Sequence, residues 1–340
     1  MPPKKTGNRR PTIADIARLA GVSKTTVSRV LNDSALVNAA TREAVEAAMT
    51  QAGYTVSWQA RTLATGQSDA IALIVTEPLS TLFSDPTFAT ILHGVYGALA
   101  GSALIPVLLQ ASTAQEQAKV RRLLDQRGVD AVIHLTPYFD DGLLPHLQEM
   151  GMPTVLLGRL PGDPYDGRFS VVYSDDEVGG ALAAHALLRR GVRHPAALLG
   201  PADNPASTDR LAGYRRELGA GLGPDRVLHG DWDERSGAAM TAQLLDDGVE
   251  IDGLLCASDR IAAGALETLA ARGIAVPEQV AVIGFDGHPF GEATRPPLTT
   301  IAQPMQDEGA RAVELALALI RGTFPRTVVL PSALVPRASA

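Results

Sequence analysis

The segment that most constrains this chain is Thr12 to Asn32, TIADIARLAGVSKTTVSRVLN. It predicts two short amphipathic helices joined at Gly21. Thr12 sits at a helix start with Asp15 three residues on, the capping-box spacing. Ile13, Ile16, Ala17 and Ala20 share one helical face and should pack inward. Gly21 permits the turn, and Val22 fills the gap between the helices. Ser23 is the expected cap of a second helix, Lys24 to Leu31. On it Val27, Val30 and Leu31 point inward, and Lys24, Thr25, Ser28 and Arg29 are left outside. A third helix, about Thr41 to Ala52, should add Ala44, Val45, Ala48 and Met49 to a small core. A short helix with polar side chains on its outer face is a means of reaching base edges in the major groove. The competing reading is an ordinary helical hairpin with a solvated polar face.

Charge separates this head from the rest. Residues 1–66 hold 9 Lys and Arg against 4 Asp and Glu, while the remainder holds 21 against 33. A head at +5 on a body at −12 confines phosphate attraction to the head. The overall charge of −7 hides that asymmetry. Residues 1–11, MPPKKTGNRRP, read as a flexible basic arm suited to phosphates more than to base readout.

With 340 residues and 46% hydrophobic content, the chain can form a small head and a large, well-packed body. No run of about eighteen apolar residues is present, so no membrane span is expected. The charged start lacks an apolar stretch, so no signal peptide is expected and the location is cytoplasmic. The single Cys256 cannot form an internal disulfide and lies in the apolar run LLCAS. From Asp69 onward short apolar strands alternate with helices. Strands are expected at Ala70 to Val75, Ala103 to Leu109, Asp130 to Leu135, Thr154 to Leu157, Ala196 to Leu199, Gly253 to Cys256 and Val280 to Phe285. Such alternation predicts parallel, doubly wound sheets with a ligand cleft at their carboxyl ends.

The match AGVSKTTVSRVLN (Ala20 to Asn32) resembles the lactose-repressor family of bacterial transcription regulators, and the resemblance runs from about Thr12 to Ser339. ARTLATGQS (Ala60 to Ser68), GFDG (Gly284 to Gly287) and PPLTTIAQP (Pro296 to Pro304) are further family-like stretches. The resemblance implies an all-α helix-turn-helix headpiece at 12–56, a hinge at 57–68 and a periplasmic-binding-protein-like α/β body of two lobes at 69–340. Three crossovers between lobes are expected near Gly167, Pro297 and Pro325. Lobe 1 would then hold 69–167 and 298–324, and lobe 2 168–297 and 325–337. The hinge would fold into a minor-groove helix in a dimer, with Leu63 wedged into the central base step and Ala64 beside it. Val56, Ser57 and Trp58 depart from the proline and asparagine often found before that helix, although Ser57 can still cap it. Packing against the body is the competing role for Leu63. The expected DNA-facing set is Thr12, Ser23, Lys24, Thr25, Thr26, Ser28, Arg29, Asn32, Ser57, Leu63 and Ala64.

Effector candidates lie at strand-to-helix junctions: Phe83 and Asp85 in LFSDP, Arg159, Ser207, Arg210, Trp232, Ser258, Asp259 and Asp286. The resemblance places Arg210, Asp259, Asp286 and an aromatic at Trp232 in the pocket. Carboxylates and an arginine suit paired hydroxyls, and an aromatic face suits the apolar side of a sugar ring. An inter-strand salt bridge competes for Arg210, an ion pair between lobes for Arg159 and helix capping for Asp259.

An enzyme is not expected. No GxSxG is present, and Gly219 to Gly223 follows a helix, unlike a nucleotide loop. The histidines lack metal-ligand spacing, so neither metal nor cofactor is expected. The chain therefore reads as a repressor of carbohydrate-use genes. A homodimer would bind a near-palindromic double-stranded operator and release it on binding a di- or oligosaccharide. A co-repressor, a nucleobase-like ligand and a solute-binding role are the alternatives. Without a leucine-heptad tail, a dimer is expected instead of a tetramer.

Overall fold

The computed structural model describes residues 11–31, 36–54, 67–137 and 142–340, in two units that divide after Ser68. The first unit contains α1 (Ile13–Leu19), α2 (Lys24–Leu31) and α3 (Ala39–Ala52). The Asp15 carboxylate accepts from the backbone N–H and the hydroxyl of Thr12, at 3.0 and 2.7 Å. Ser23 Oγ accepts from the Thr26 N–H at 3.0 Å. Both contacts quiet helix-start donors that the helix itself leaves unpaired. Gly21 makes the turn at φ +68°. Ile16, Ala17, Val27, Val30, Val45 and Ala48 form the core, with Leu31 and Met49 partly buried against it. Ala44, expected inside, is exposed. Val45, one residue on, takes the inner face, and a helix turns about 100° per residue. The third helix also starts earlier than predicted, because Asn38 accepts from the Thr41 N–H and caps it.

The second unit holds two six-stranded sheets. The first contains β1 (Ala70–Val75), β2 (Ile105–Gln110), β3 (Ala131–His134), β4 (Thr154–Leu157), β5 (Ser170–Ser174) and β11 (Thr327–Leu330). Its order is β11-β5-β4-β3-β1-β2, all parallel. The second contains β6 (Pro195–Leu199), β7 (Val227–His229), β8 (Gly253–Cys256), β9 (Ala281–Asp286), β10 (Thr299–Ala302) and β12 (Ala333–Val335). Its order is β12-β10-β9-β8-β6-β7, with only β12 antiparallel to its neighbour. Every residue of β1, AIALIV, is buried, as a strand covered on both faces requires. Separate apolar clusters cover the two faces of each sheet.

On the first sheet pack α4 (Leu79–Ser84), α5 (Pro86–Leu99), α6 (Ala114–Asp125), α7 (Leu143–Glu149) and α12 (Met305–Ile320). On the second pack α8 (Asp176–Arg190), α9 (Pro205–Leu218), α10 (Glu234–Asp246) and α11 (Asp259–Ala271). The crossovers fall later than Gly167, Pro297 and Pro325. The strands that follow those residues, β5, β10 and β11, still pair within the lobe the chain is about to leave. β5 pairs with β4, β10 with β9, and β11 with β5. The chain therefore changes lobe after Ser174, near Gln303 and between β11 and β12. Lobe 1 gains β5 and β11, and lobe 2 gains β10. The glycine and prolines start strands here; they do not end lobes.

Candidate functional site

The cleft opens at the carboxyl ends of both sheets, where parallel α/β layers place their ligands. It encloses about 1170 Å³, solvent at its mouth included. Lobe 1 contributes an apolar wall of Phe88, Ile91, Leu135, Leu157 and Met305. Lobe 2 faces it with Asp176, Asn204, Asp209, Arg210, Trp232 and Asp286. Glu77, Thr81, Asp85, Thr87 and Arg159 of lobe 1 line the cleft as well, so lobe 1 offers an apolar patch for C–H surfaces with polar groups around it, and lobe 2 a polar cluster suited to hydroxyls.

Arg210 organises the polar wall. Its Nε donates to Asp176 at 2.8 Å and its Nη1 lies 3.4 Å from Asp286 Oδ1. Nη1 also donates to the Ala257 carbonyl. The guanidinium lies 3.8 Å from the Phe285 ring centroid and 5.6 Å from that of Trp232. Burial opposes its charge, but Asp176 and Asp286 outweigh that and raise its pKa. Burial likewise pushes both partner carboxyls up, and Arg210 pulls them back. Asp286 adopts φ +107°, a region a non-glycine residue enters at a cost of about 1–3 kcal/mol. Gln303 Nε2 donates to it at 2.7 Å and helps hold it there.

Two glycines set the position of Arg210. A Cβ on Gly180 of α8 would lie 2.4 Å from the Arg210 carbonyl oxygen, and one on Gly213 of α9 would lie 2.1 Å from that of Glu177. The helices approach closely enough for Arg210 to reach Asp176 only because both positions lack side chains. Gly213→Ala should force them apart at a cost of about 1–3 kcal/mol. A lowered urea midpoint would register this, and an unchanged midpoint would show that the contact is soft.

The lobes also meet through side chains. Arg159, beyond β4, pairs with Asp209 at 2.6 Å, and Arg260 lies 3.5 Å from Asp85. His288 Nε2 stands 3.4 Å from the Thr87 hydroxyl.

Of the expected effector residues, Asp85, Arg159, Arg210, Trp232, Ser258 and Asp286 line the cleft. Arg159 also makes the ion pair between lobes weighed against it, whereas Arg210 pairs from a helix with Asp176 and Asp286 and not between strands. Phe83, Ser207 and Asp259 are not among the lining residues. Phe83 is 81% exposed, because Leu82 is the residue of α4 that packs inward. Ser207 is fully buried in the first turn of α9, which starts at Pro205 under an Asn204 cap. Asp259 lies behind the cleft. It accepts from the His288 N–H and the Thr300 hydroxyl, each at 2.6 Å, and anchors the loop after Asp286. Burial, then the charge of Asp286, pushes its carboxyl up to about 8. Ser258, not Asp259, caps α11 by accepting from the Ile261 N–H.

Sequence reasoning missed Asp176, Gln303 and Glu308. Asp176 begins a helix immediately after β5, so the strand-end rule would have found it had β5 been placed in the first sheet. Gln303 falls inside the family-like IAQP stretch. Glu308 lies within an amphipathic helix and carries no local signal.

On the first unit, Ser23, Lys24, Thr25 and Arg29 are exposed, while Thr12, Thr26 and Ser28 are half-buried. Asn32, Ser57, Leu63 and Ala64 lie outside the described residues.

A helix-turn-helix unit followed by a two-lobed, cleft-bearing α/β body defines a ligand-responsive DNA-binding regulator. Residues 12–57 match the model of bacterial regulatory proteins of the lacI family, and residues 184–340 match a periplasmic binding protein-like domain. The HTH-type transcriptional regulator CelR of Thermobifida fusca is 39% identical over 336 residues, covering 97% of this chain and 98% of that one. A solved structure of a transcriptional regulator CelR-cellobiose complex superposes with a TM-score of 0.77 at 37% identity, over 97% of this chain and all of that one. The lac repressor dimer bound to operator and the anti-inducer ONPF gives 0.83 at 29% identity, over 97% and 99%. The chain belongs to the lacI family of transcriptional regulators, which are not enzymes. Among the described residues no helix is long and apolar enough to cross a membrane.

Proposed function

We propose that this regulator is a homodimeric, cytoplasmic repressor of sugar-use genes, released from a pseudo-palindromic operator by a gluco-disaccharide of the cellobiose type. The observation that carries the ligand class is the two-faced cleft. Asp176, Arg210 and Asp286 can bind paired hydroxyls, Trp232 can cover a ring face, and the lobe 1 wall accepts its C–H surface. The likeness over nearly the whole chain to a regulator solved with cellobiose supports the same class. Likeness to an operator-bound dimer supports two heads reading two half-sites. Lys24, Thr25, Ser28 and Arg29 would meet base edges, and Leu63, with Ala64, would supply the wedge at the hinge. Ligand contacts that differ between lobe arrangements would shift the hinge equilibrium and lower operator affinity.

Fluorescence anisotropy on DNA upstream of the protein's own and neighbouring genes tests this. Cellobiose should release the DNA, with at least a roughly tenfold loss of affinity, within the usual range of allosteric coupling. Tight DNA binding that no disaccharide disturbs but a nucleobase strengthens would replace the sugar reading with a co-repressor.

A further inference from the structure

Glu308, on α12, sets an acid beside the apolar patch that Phe88, Ile91, Leu135, Leu157 and Met305 form on the lobe 1 side of the cleft. It is 7% exposed and lines the cleft. Its Oε1 has no hydrogen-bond partner among the described residues. A buried carboxylate oxygen without a donor is costly, and a ligand hydroxyl that fills the position removes the cost. We propose that Glu308 is a specificity residue, whose carboxylate accepts a hydrogen bond from a hydroxyl of the bound sugar and so selects a polar ligand edge on the apolar side of the cleft. This rests on the sugar reading above and extends it to a residue at which neither the motifs nor the strand ends hinted.

The position also touches the hinge. Ser174, at the end of β5, approaches the Glu308 carboxyl and bonds Gln303, which donates to Asp286. Ser174 and Gln303 mark two of the three crossovers, so a ligand held by Glu308 bears on the strands that join the lobes.

Burial pushes the carboxyl up to about 7, with Ser174 pulling it down. The charged groups facing it are Asp176, which adds to the rise, and Arg210, which opposes it. Packed against α12, α5 contributes Phe88 and Ile91 to the cleft lining, β4 contributes Leu157, β5 contributes Tyr173 and Ser174, and Leu135 follows β3. Glu77, Arg159, Tyr173, Asp209 and Arg260 are further ionisable groups that line the cleft, and Asp85 caps α5. His134 alternates to the opposite face of β3. A hydroxyl donated to the ionised form favours that form, so binding releases a proton. Affinity then rises with pH up to about 7 and levels off above it.

The test is calorimetry of the full chain with cellobiose and cellotriose from about pH 5.5 to 8, in two buffers of different ionisation heat. The wild type should gain up to about tenfold affinity per pH unit below 7 and release protons. Glu308→Gln should flatten that slope. Glu308→Leu, which replaces a buried charge with an apolar side chain of similar size and should fold at least as well, should flatten it and weaken binding at least several-fold. Sugar binding with no pH slope in the wild type, or a slope kept by both variants, overturns the role of Glu308 and leaves the sugar reading standing. Absence of binding by either sugar to the wild type overturns both.

Discussion

Arg210→Ala is expected to destabilise the body by about 3–5 kcal/mol, because it leaves Asp176 and Asp286 buried without their shared cation. Arg210 is 5% exposed, so solvent does little to soften that loss. The guanidinium also covers Phe285, and its removal opens space against that ring. The pH dependence has a definite sign. Both carboxyls already titrate above their ordinary value. Without Arg210 they rise further, so the destabilisation grows with rising pH and shrinks as pH falls through their folded-state values. Adding Asp176→Asn should restore part of the stability at neutral pH without restoring a response to cellobiose. Urea unfolding of the three proteins near pH 7.5 and 5 measures this. Equal midpoints for wild type and Arg210→Ala would mean that the ion-pair network carries little energy and that Arg210 serves the ligand alone.

The head was legible in the sequence because its determinants are local. Cap, turn glycine and 3.6-residue periodicity lie within twenty-odd residues, and the inward set of Ile16, Val27, Val30 and Val45 follows from spacing alone. The body's strands were legible for a similar reason, since AIALIV and GLLC are continuous apolar runs. The lobe to which a strand belongs was not legible. β5, β10 and β11 join sheets through partners far away in sequence, and a proline or glycine before a strand says only that a strand begins. That single error carried into the site, where Asp176 was overlooked because β5 was assigned to the wrong lobe. Phe83 and Ser207 lie away from the cleft lining for a smaller reason. One residue along a helix turns a side chain by about 100°, so a motif near a cleft can point away from it. Asp259 lies behind the lining for another reason. It is in the right place, but its carboxylate is committed to His288 and Thr300 and acts through the loop that carries Asp286.

The same long-range placement explains why the two lobes can report on one ligand. Asp176 follows the first crossover, Gln303 forms the second, and Asp286 ends the strand beside β10. All three meet at Arg210 or its partners. A ligand that perturbs this cluster acts on chain segments that run between the lobes, while Arg159–Asp209 and Asp85–Arg260 bridge the lobes across the cleft.

Arg29→Ala is expected to lower affinity for the operator about 5- to 150-fold, the value of a good bidentate base contact, while random-sequence DNA is affected far less. Arg29 is exposed in the last turn of α2, and its neighbours Val27 and Val30 turn inward and fix the helix on its core. An exposed side chain with no part in that core should leave folding within about 0.5 kcal/mol of wild type, so lost binding would reflect lost contact. Anisotropy titrations against the operator and a scrambled duplex, each at several salt concentrations, separate the possible roles. A base-reading arginine costs specificity and changes the salt slope little. Equal weakening on both duplexes, with the slope reduced by about one, would instead make Arg29 a phosphate contact. Sequence recognition would then pass to Lys24, Thr25 and Ser28 on the same outer face of α2.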